Sequence, residues 1–138
     1  MQQLAQIRVI RVMEKMIITT QNAPAPIGPY NQAVLVNGTL YISGQVCIDP
    51  QTGNLKNRDI QDETHQVMQN LKAILAEAGM SFNNVVKTTI FITDMNQFSE
   101  INEIYGKYFN GNFPARETVQ VSALPRFVNI EISMIAAQ

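Results

Sequence analysis

The stretch IQDETHQVMQNLKAILAEAGMSFNNVVKTTIFI, residues 60–92, decides the fold class, because the period of its hydrophobic pattern changes within it. From about Ile60 to Ala78, apolar residues recur every three or four positions, which predicts an amphipathic helix with one buried face. Gly79 suits the position just after a helix end, where a left-handed backbone is usual. The run Val85–Ile92 is rich in β-branched residues and predicts a strand.

Shorter β-rich runs lie on both sides of this helix and strand. Asn37-Gly38 separates residues 33–36 from residues 39–43 and predicts a tight hairpin, since both turn residues tolerate positive φ. A second amphipathic helix is predicted over residues 97–109. The other predicted strands are Gln45–Ile48, Thr118–Val121 and Asn129–Ile135. Two helices and five or six strands indicate an α+β domain, a single sheet with two helices packed on one face.

Each of the last two predicted strands has one polar and one apolar face, because side chains alternate along a strand. The polar residues are Arg116, Thr118 and Gln120, followed by Asn129, Glu131 and Ser133. Such a face is either solvated or lines a cleft between subunits. Charged residues make up 15% of the chain, below the usual share of roughly 25%, and this favours the cleft.

Composition excludes several classes of protein. The net charge is −1 and no run of Lys or Arg occurs, so a nucleic-acid partner is not expected. No segment approaches the roughly 18 apolar residues of a membrane span. Cys47 is the only cysteine and His65 the only histidine, so neither a disulfide within the chain nor a His/Cys metal site is expected. No phosphate-binding glycine spacing occurs, and we expect no cofactor and a reducing, cytoplasmic location.

Residues 1–15, MQQLAQIRVIRVMEK, differ from the remainder of the chain. They carry Arg8, Arg11 and Lys15 against one acid, Glu14. They lack the continuous apolar region of a secretory signal. An organelle transit peptide remains an alternative, but the stretch is short and has no serine. We expect an N-terminal extension over residues 1–15 and a single domain over residues 16–138.

Two residues stand out as candidates for chemistry. Arg116 begins a strand, and its guanidinium could bind a carboxylate through two parallel hydrogen bonds. A structural salt bridge explains it equally well. Glu131 lies between Ile130 and Ile132 in NIEISMI, where burial would raise its pKa and suit it to acid–base catalysis. From spacing alone, a solvated glutamate is the more common explanation.

Five stretches complete the pattern. They are GPYNQAV (28–34), YISGQ (41–45), VVKTTIFITDM (85–95), FPARETVQVSALP (113–125) and VNIEISMIA (128–136). Together with Asn102 and Tyr105 in the second helix, they resemble the Rid/YjgF family, the reactive-intermediate imine deaminases. The resemblance covers residues 16–138 and does not reach residues 1–15.

The resemblance implies a chorismate-mutase-like α+β fold assembled as a homotrimer, with three clefts between neighbouring subunits. It also implies cofactor-free hydrolysis of 2-imino acids and 2-aminoacrylate-type enamines to 2-keto acids and ammonia. Pyridoxal-phosphate dehydratases acting on serine and threonine release such imines. Two other functions fit a relative of this kind: RNA cleavage with inhibition of translation, or a non-enzymatic, chaperone-like trimer that binds small carboxylates.

Matched by position, Arg116 resembles the carboxylate-binding arginine of the family, and Glu131 the acid that positions the attacking water. The remaining substrate-binding positions fall on Tyr30, Ser43, Gly44 and Asn102. Two residues depart from the family pattern. Asn31 replaces a commoner small residue, and Thr118 stands where many members have cysteine.

Overall fold

The computed structural model describes residues 14–138. The predicted extension, residues 1–15, therefore lies almost entirely outside the described residues. In chain order the elements are the strands β1 (Met16–Ile18), β2 (Ala33–Val36) and β3 (Thr39–Gln45), the helix α1 (Ile60–Glu77), the strand β4 (Val85–Ile92), the helix α2 (Phe98–Gly106), and the strands β5 (Ala115–Gln120) and β6 (Ile130–Ala137). Within residues 14–138, no helix is long and apolar enough to cross a membrane.

The six described strands form one mixed sheet in the order β1-β2-β3-β6-β4-β5. Neighbouring strands are antiparallel except β4 and β5, which are parallel and connected through α2. The sheet therefore ends at β5, where the strand has a neighbour on one side only. The prediction of a single sheet is confirmed.

Helix α1 begins at a side-chain cap that was not predicted, and it ends at the glycine that was predicted. The Asp59 carboxylate accepts a hydrogen bond from the Asp62 N–H at 2.7 Å and so satisfies one free N–H group of the first turn. Gly79, with φ of 73°, terminates the helix in the left-handed region. The fully buried residues of its apolar face are Val67, Met68, Leu71, Ile74 and Leu75.

The hydrophobic core lies between the helices and one face of the sheet. Helix α1 packs against β3 and β6, and α2 packs against α1. Every second residue of β6 is buried on this face: Ile130, Ile132, Met134 and Ala136. Full burial of an isoleucine or methionine contributes roughly 1.5–3 kcal/mol. The packing of both helices on one face is confirmed, and the opposite face of the sheet is left open within one chain.

Several element boundaries were predicted incorrectly. Gln45–Ile48 is not a separate strand, because β3 continues through Gly44 to Gln45, and Ile48 makes only an isolated bridge with Leu55. The second helix ends at Gly106 instead of residue 109, and β5 begins at Ala115 instead of Thr118. The three-residue strand β1 was not predicted, since so short a run carries little periodicity.

Candidate active site

A cavity of about 340 Å³ brings together four of the residues that the sequence singles out. They are Tyr30, Ser43, Gly44 and Glu131. Glu131 comes from β6, whereas Ser43 and Gly44 come from the neighbouring strand β3. Tyr30 is carried by the proline-rich segment that precedes β2. The cavity is therefore built on two central strands and bordered by irregular segments.

Glu131 lies on the open face of the sheet. Its neighbours Ile130 and Ile132 are fully buried against the helices, so alternation directs the glutamate to the opposite face. The side chain is half-buried, and this burial raises the pKa of its carboxyl above the usual value. The direction agrees with the sequence prediction, and a carboxyl with a raised pKa is a stronger base than an ordinary glutamate.

Gly44 provides the space that the Glu131 carboxyl occupies. A Cβ atom added at Gly44 would lie 2.7 Å from Glu131 Cδ, which is well inside van der Waals contact. The ladder between β3 and β6 shifts register between Ile42 and Gln45, so Gly44 has no paired residue there. The absence of a side chain and the local irregularity of β3 together let the carboxyl approach the backbone closely.

Ser43 and Tyr30 have different hydrogen-bonding roles. The Ser43 hydroxyl donates to the Asn31 carbonyl at 2.6 Å, which connects β3 to the segment carrying Tyr30. The Tyr30 hydroxyl accepts a long hydrogen bond of 3.4 Å from the Ile27 N–H. Its own proton is not used in that bond, so Tyr30 can donate to a ligand in the cavity.

Two buried amide side chains hold the walls of the cavity. Gln32 is 2% exposed, and its Nε2 donates to the Pro24 carbonyl at 2.9 Å. Asn70 projects from α1, and its Nδ2 donates to the carbonyls of Val46 and Ile48 at 3.0 and 2.9 Å. Buried amides with satisfied hydrogen bonds fix irregular backbone, so the cavity walls are rigidly placed.

A buried carboxylate positions the start of β6. Glu63 of α1 is fully buried and accepts hydrogen bonds from the N–H groups of Asn129 and Ile130 at 2.7 and 3.0 Å. These residues directly precede Glu131. Sequence reasoning missed the role of Glu63, although a signal existed: it falls on the buried helical face that includes Val67, four positions along the chain.

Arg116 and Asn102 occur in a different hollow, of about 260 Å³. Arg116 pairs with Thr88 of β4, and the Tyr105 hydroxyl of α2 donates to Thr88 Oγ1 at 3.0 Å. The Arg116 side chain therefore lies on the helix side of the sheet. Its guanidinium carbon is 5.1 Å from the centre of the Tyr105 ring and 5.6 Å from that of Phe98.

The geometry leaves the donors of Arg116 available. Two aromatic rings contact the guanidinium, which leaves its N–H groups directed outward in the plane of the fork. None of the ion pairs between side chains of residues 14–138 includes Arg116. The structural salt bridge considered from sequence is thus not formed within this part of the chain, and a carboxylate from a ligand can take that place.

The candidate residues are divided between the two faces of the sheet. Val119 of β5 pairs with Phe91, and Phe91 pairs with Glu131, so these three side chains form one row on the open face. Arg116, three residues before Val119, faces the helices. The polar side of β5 therefore faces the helix layer, whereas the polar side of β6 faces away from it. One chain does not bring Arg116 and Glu131 into a single pocket.

The cysteine is not a nucleophile in this arrangement. Cys47 is fully buried, and burial, reinforced by the negative charge of Glu63, raises the pKa of its thiol to about 11. The thiolate is the reactive form, and it is scarcely populated near neutral pH. Among residues 14–138, no three or more His, Cys, Asp and Glu side chains are grouped so that they could hold a metal ion.

Comparison with known proteins places the chain among related sequences and structures. The family model described as Endoribonuclease L-PSP matches residues 20–138. A 2-iminobutanoate/2-iminopropanoate deaminase of Mus musculus is 53% identical over 122 residues, covering 88% of this chain and 90% of that protein. The match therefore extends over nearly all of both proteins.

Solved structures agree with this match. The Rid family protein YyfA of Yersinia pestis is 52% identical, with a TM-score of 0.88, covering 91% of this chain and 100% of that one. TdcF of E. coli, solved with bound serine, is 43% identical, with a TM-score of 0.86, covering 89% of this chain and 98% of that one. The similarity thus includes the whole fold described above.

Proposed function

Because the chain belongs to the Rid/YjgF family, whose Endoribonuclease L-PSP model matches it, we propose that it is a 2-iminobutanoate/2-iminopropanoate deaminase. It hydrolyses 2-imino acids and their enamine tautomers to 2-keto acids and ammonia. The observation that carries this proposal is Glu131, a half-buried carboxyl with a raised pKa in a pre-formed cavity. The deaminase of Mus musculus supports the same reaction at 53% identity.

The complete site forms between two subunits of a homotrimer. This assembly accounts for the division of the candidate residues: one subunit supplies Glu131 with its cavity, and its neighbour supplies Arg116. One feature supports the arrangement. The open face carries apolar side chains that a second copy would cover, among them Tyr41 and Val119, which are 48% and 42% exposed.

Arg116 binds the carboxylate of the imino acid. Two parallel N–H···O bonds fix the plane of the carboxylate and hence the position of the adjacent imine carbon. Holding an already electrophilic carbon beside a bound water removes most of the orientational cost of the reaction. Serine, the ligand bound in the E. coli TdcF structure, also combines a carboxylate with nitrogen on the neighbouring carbon.

Glu131 acts on the water and on the leaving nitrogen. Its carboxylate takes a proton from the water as the water oxygen bonds to the imine carbon, and the imine nitrogen takes a proton from solvent to become an amine. Glu131 then gives its proton to this amine, the carbon–nitrogen bond breaks and ammonia leaves, and the hydroxyl group of the intermediate loses its proton to solvent as the keto carbonyl forms. The raised pKa makes the Glu131 carboxylate a stronger base towards water than an ordinary glutamate. Tyr30 is placed to donate a hydrogen bond during these steps.

A coupled assay tests the function. Threonine dehydratase generates 2-iminobutanoate in solution, and the appearance of 2-ketobutyrate is followed with and without the purified protein. The protein is expected to accelerate hydrolysis of the free imine and to reduce its capture by semicarbazide. The dehydratase alone, with heat-denatured protein added, is the control. Folded protein that leaves both rates at the control value would contradict the proposal, and cleavage of RNA without imine hydrolysis would replace it.

A further inference from the structure

We infer that Arg126 binds a second anionic group, so that the site also accepts 2-imino acids whose side chain ends in a carboxylate. The inference rests on the proposed function and specifies its substrate class. Arg126 lines the same cavity as Glu131. Among the described residues that line this cavity, it is the only Lys or Arg. The cavity therefore contains a proton-transfer group and, within the same chain, a separate cation.

The Arg126 guanidinium has few hydrogen-bond partners among residues 14–138. Its Nη1 makes one long hydrogen bond, 3.5 Å, to the Gly53 carbonyl. None of the ion pairs between side chains of residues 14–138 includes it. A guanidinium has five N–H donors, so most of them remain free for a ligand. A carboxylate would satisfy two of these donors at once.

The backbone around Arg126 is held in an unfavourable conformation. Arg126 has φ of 57° and ψ of 20°, and Phe127 has φ of 56°. Residues with a Cβ atom avoid this left-handed region, and two such residues in succession are unusual. Strain of this kind persists where the surroundings fix it, and it clusters at ligand sites. Here it follows Pro125 and places the arginine at the cavity.

The lining of the cavity that Glu131 and Arg126 share includes two apolar side chains, those of Val46 and Ile48. From Gly44, which contacts Glu131, the chain continues through Val46 and Ile48 along the cavity to the turn containing Gly53. Gly53 is the residue that Arg126 contacts. A substrate with its imine carbon at Glu131 would therefore extend its methylene groups along Val46 and Ile48, with its far end at Arg126.

The size of the cavity fits this class of substrate. Pockets for ligands begin at roughly 300 Å³, and this one measures about 340 Å³. A four-carbon imino acid would leave much of that space to water. The imines of glutamate and glutamine have the same length and differ at the far end, where the first has a carboxylate and the second a neutral carboxamide. Comparing them isolates the contribution of Arg126.

The experiment measures kcat/KM for both imines, generated by an amino-acid oxidase and detected by competition with semicarbazide. Wild-type protein is expected to prefer the glutamate-derived imine. In Arg126→Gln, the ratio of the two kcat/KM values should fall at least about tenfold. A decrease of this size corresponds to the loss of one charge-assisted hydrogen bond to the substrate. Arg126→Lys should retain part of the preference because it keeps the charge and loses the fork.

Arg58→Gln is the matched control. Arg58 is exposed, pairs with Asp59 and does not line the cavity, and its replacement changes the net charge by the same amount. An unchanged ratio in Arg126→Gln, or an equal fall in Arg58→Gln, would overturn the inference while leaving the deaminase function intact. Wild-type protein that hydrolyses neither these imines nor 2-iminobutanoate would overturn both.

Discussion

Replacing Arg116 with alanine is expected to lower kcat/KM for 2-iminobutanoate by at least about a thousandfold, because both carboxylate binding and orientation of the imine are lost. The residue has no structural ion pair within residues 14–138 that its removal would break. Arg116→Lys should also be impaired, by at least about tenfold, since lysine cannot form two parallel hydrogen bonds to one carboxylate. Steady-state kinetics of the three proteins provides the measurement.

Control experiments separate this effect from damage to the fold. Circular dichroism and thermal unfolding of Arg116→Ala should resemble those of the parent, because the ring partners Tyr105 and Phe98 remain in place. Arg58→Ala removes an exposed arginine outside both hollows and should retain parental kinetics. An Arg116→Ala protein as active as the parent would show that another group binds the carboxylate.

The second large effect is expected at Glu131. Glu131→Gln preserves the size of the side chain beside Gly44 but cannot accept a proton, so kcat should fall by about 10²–10⁴-fold. The parent should lose activity as the pH falls through the pKa of Glu131, which lies above the usual glutamate value, because only the carboxylate form accepts a proton from water. The residual activity of the variant should lack this titration, as pH–rate profiles of both proteins will reveal. A variant with the full parental rate would exclude Glu131 as the base.

Much of the fold follows from local sequence signals. The 3–4 spacing in α1, the glycine after it and the Asn-Gly turn between β2 and β3 are each sufficient to predict their element, because each is determined by neighbouring residues. The boundary at Gly44 was predicted incorrectly for a physical reason. A glycine inside a strand resembles a break in sequence, whereas here it makes room for a carboxyl from the adjacent strand.

The position of the site was less accessible from sequence. Alternation over residues 115–120 separates the two faces of β5, but it does not determine which face meets the helices. That choice depends on the parallel pairing of Arg116 with Thr88 and on the contact between Thr88 and Tyr105, and both are tertiary interactions. The resemblance to the Rid/YjgF family supplied the candidate residues, and the structure shows that Arg116 and Glu131 of one chain line different hollows.

The roles of the buried polar residues were also not predictable from the sequence alone. Gln32 and Asn70 appear unremarkable beside their apolar neighbours, because the backbone groups that they bind lie far away along the chain. Asn70 bonds to residues 22 and 24 positions earlier. Such partners are identified only once the elements are packed together.

The sharing of one site by two subunits is tested most directly by mixing two inactive variants. Arg116→Ala and Glu131→Gln are co-expressed or refolded together in equal amounts, so that subunits combine at random. If Arg116 and Glu131 act from different subunits, about a quarter of the sites will combine an intact arginine with an intact glutamate around a cyclic trimer. Activity should then return to about a quarter of the parental value. A mixture no more active than its separate components would show that both residues act from the same chain.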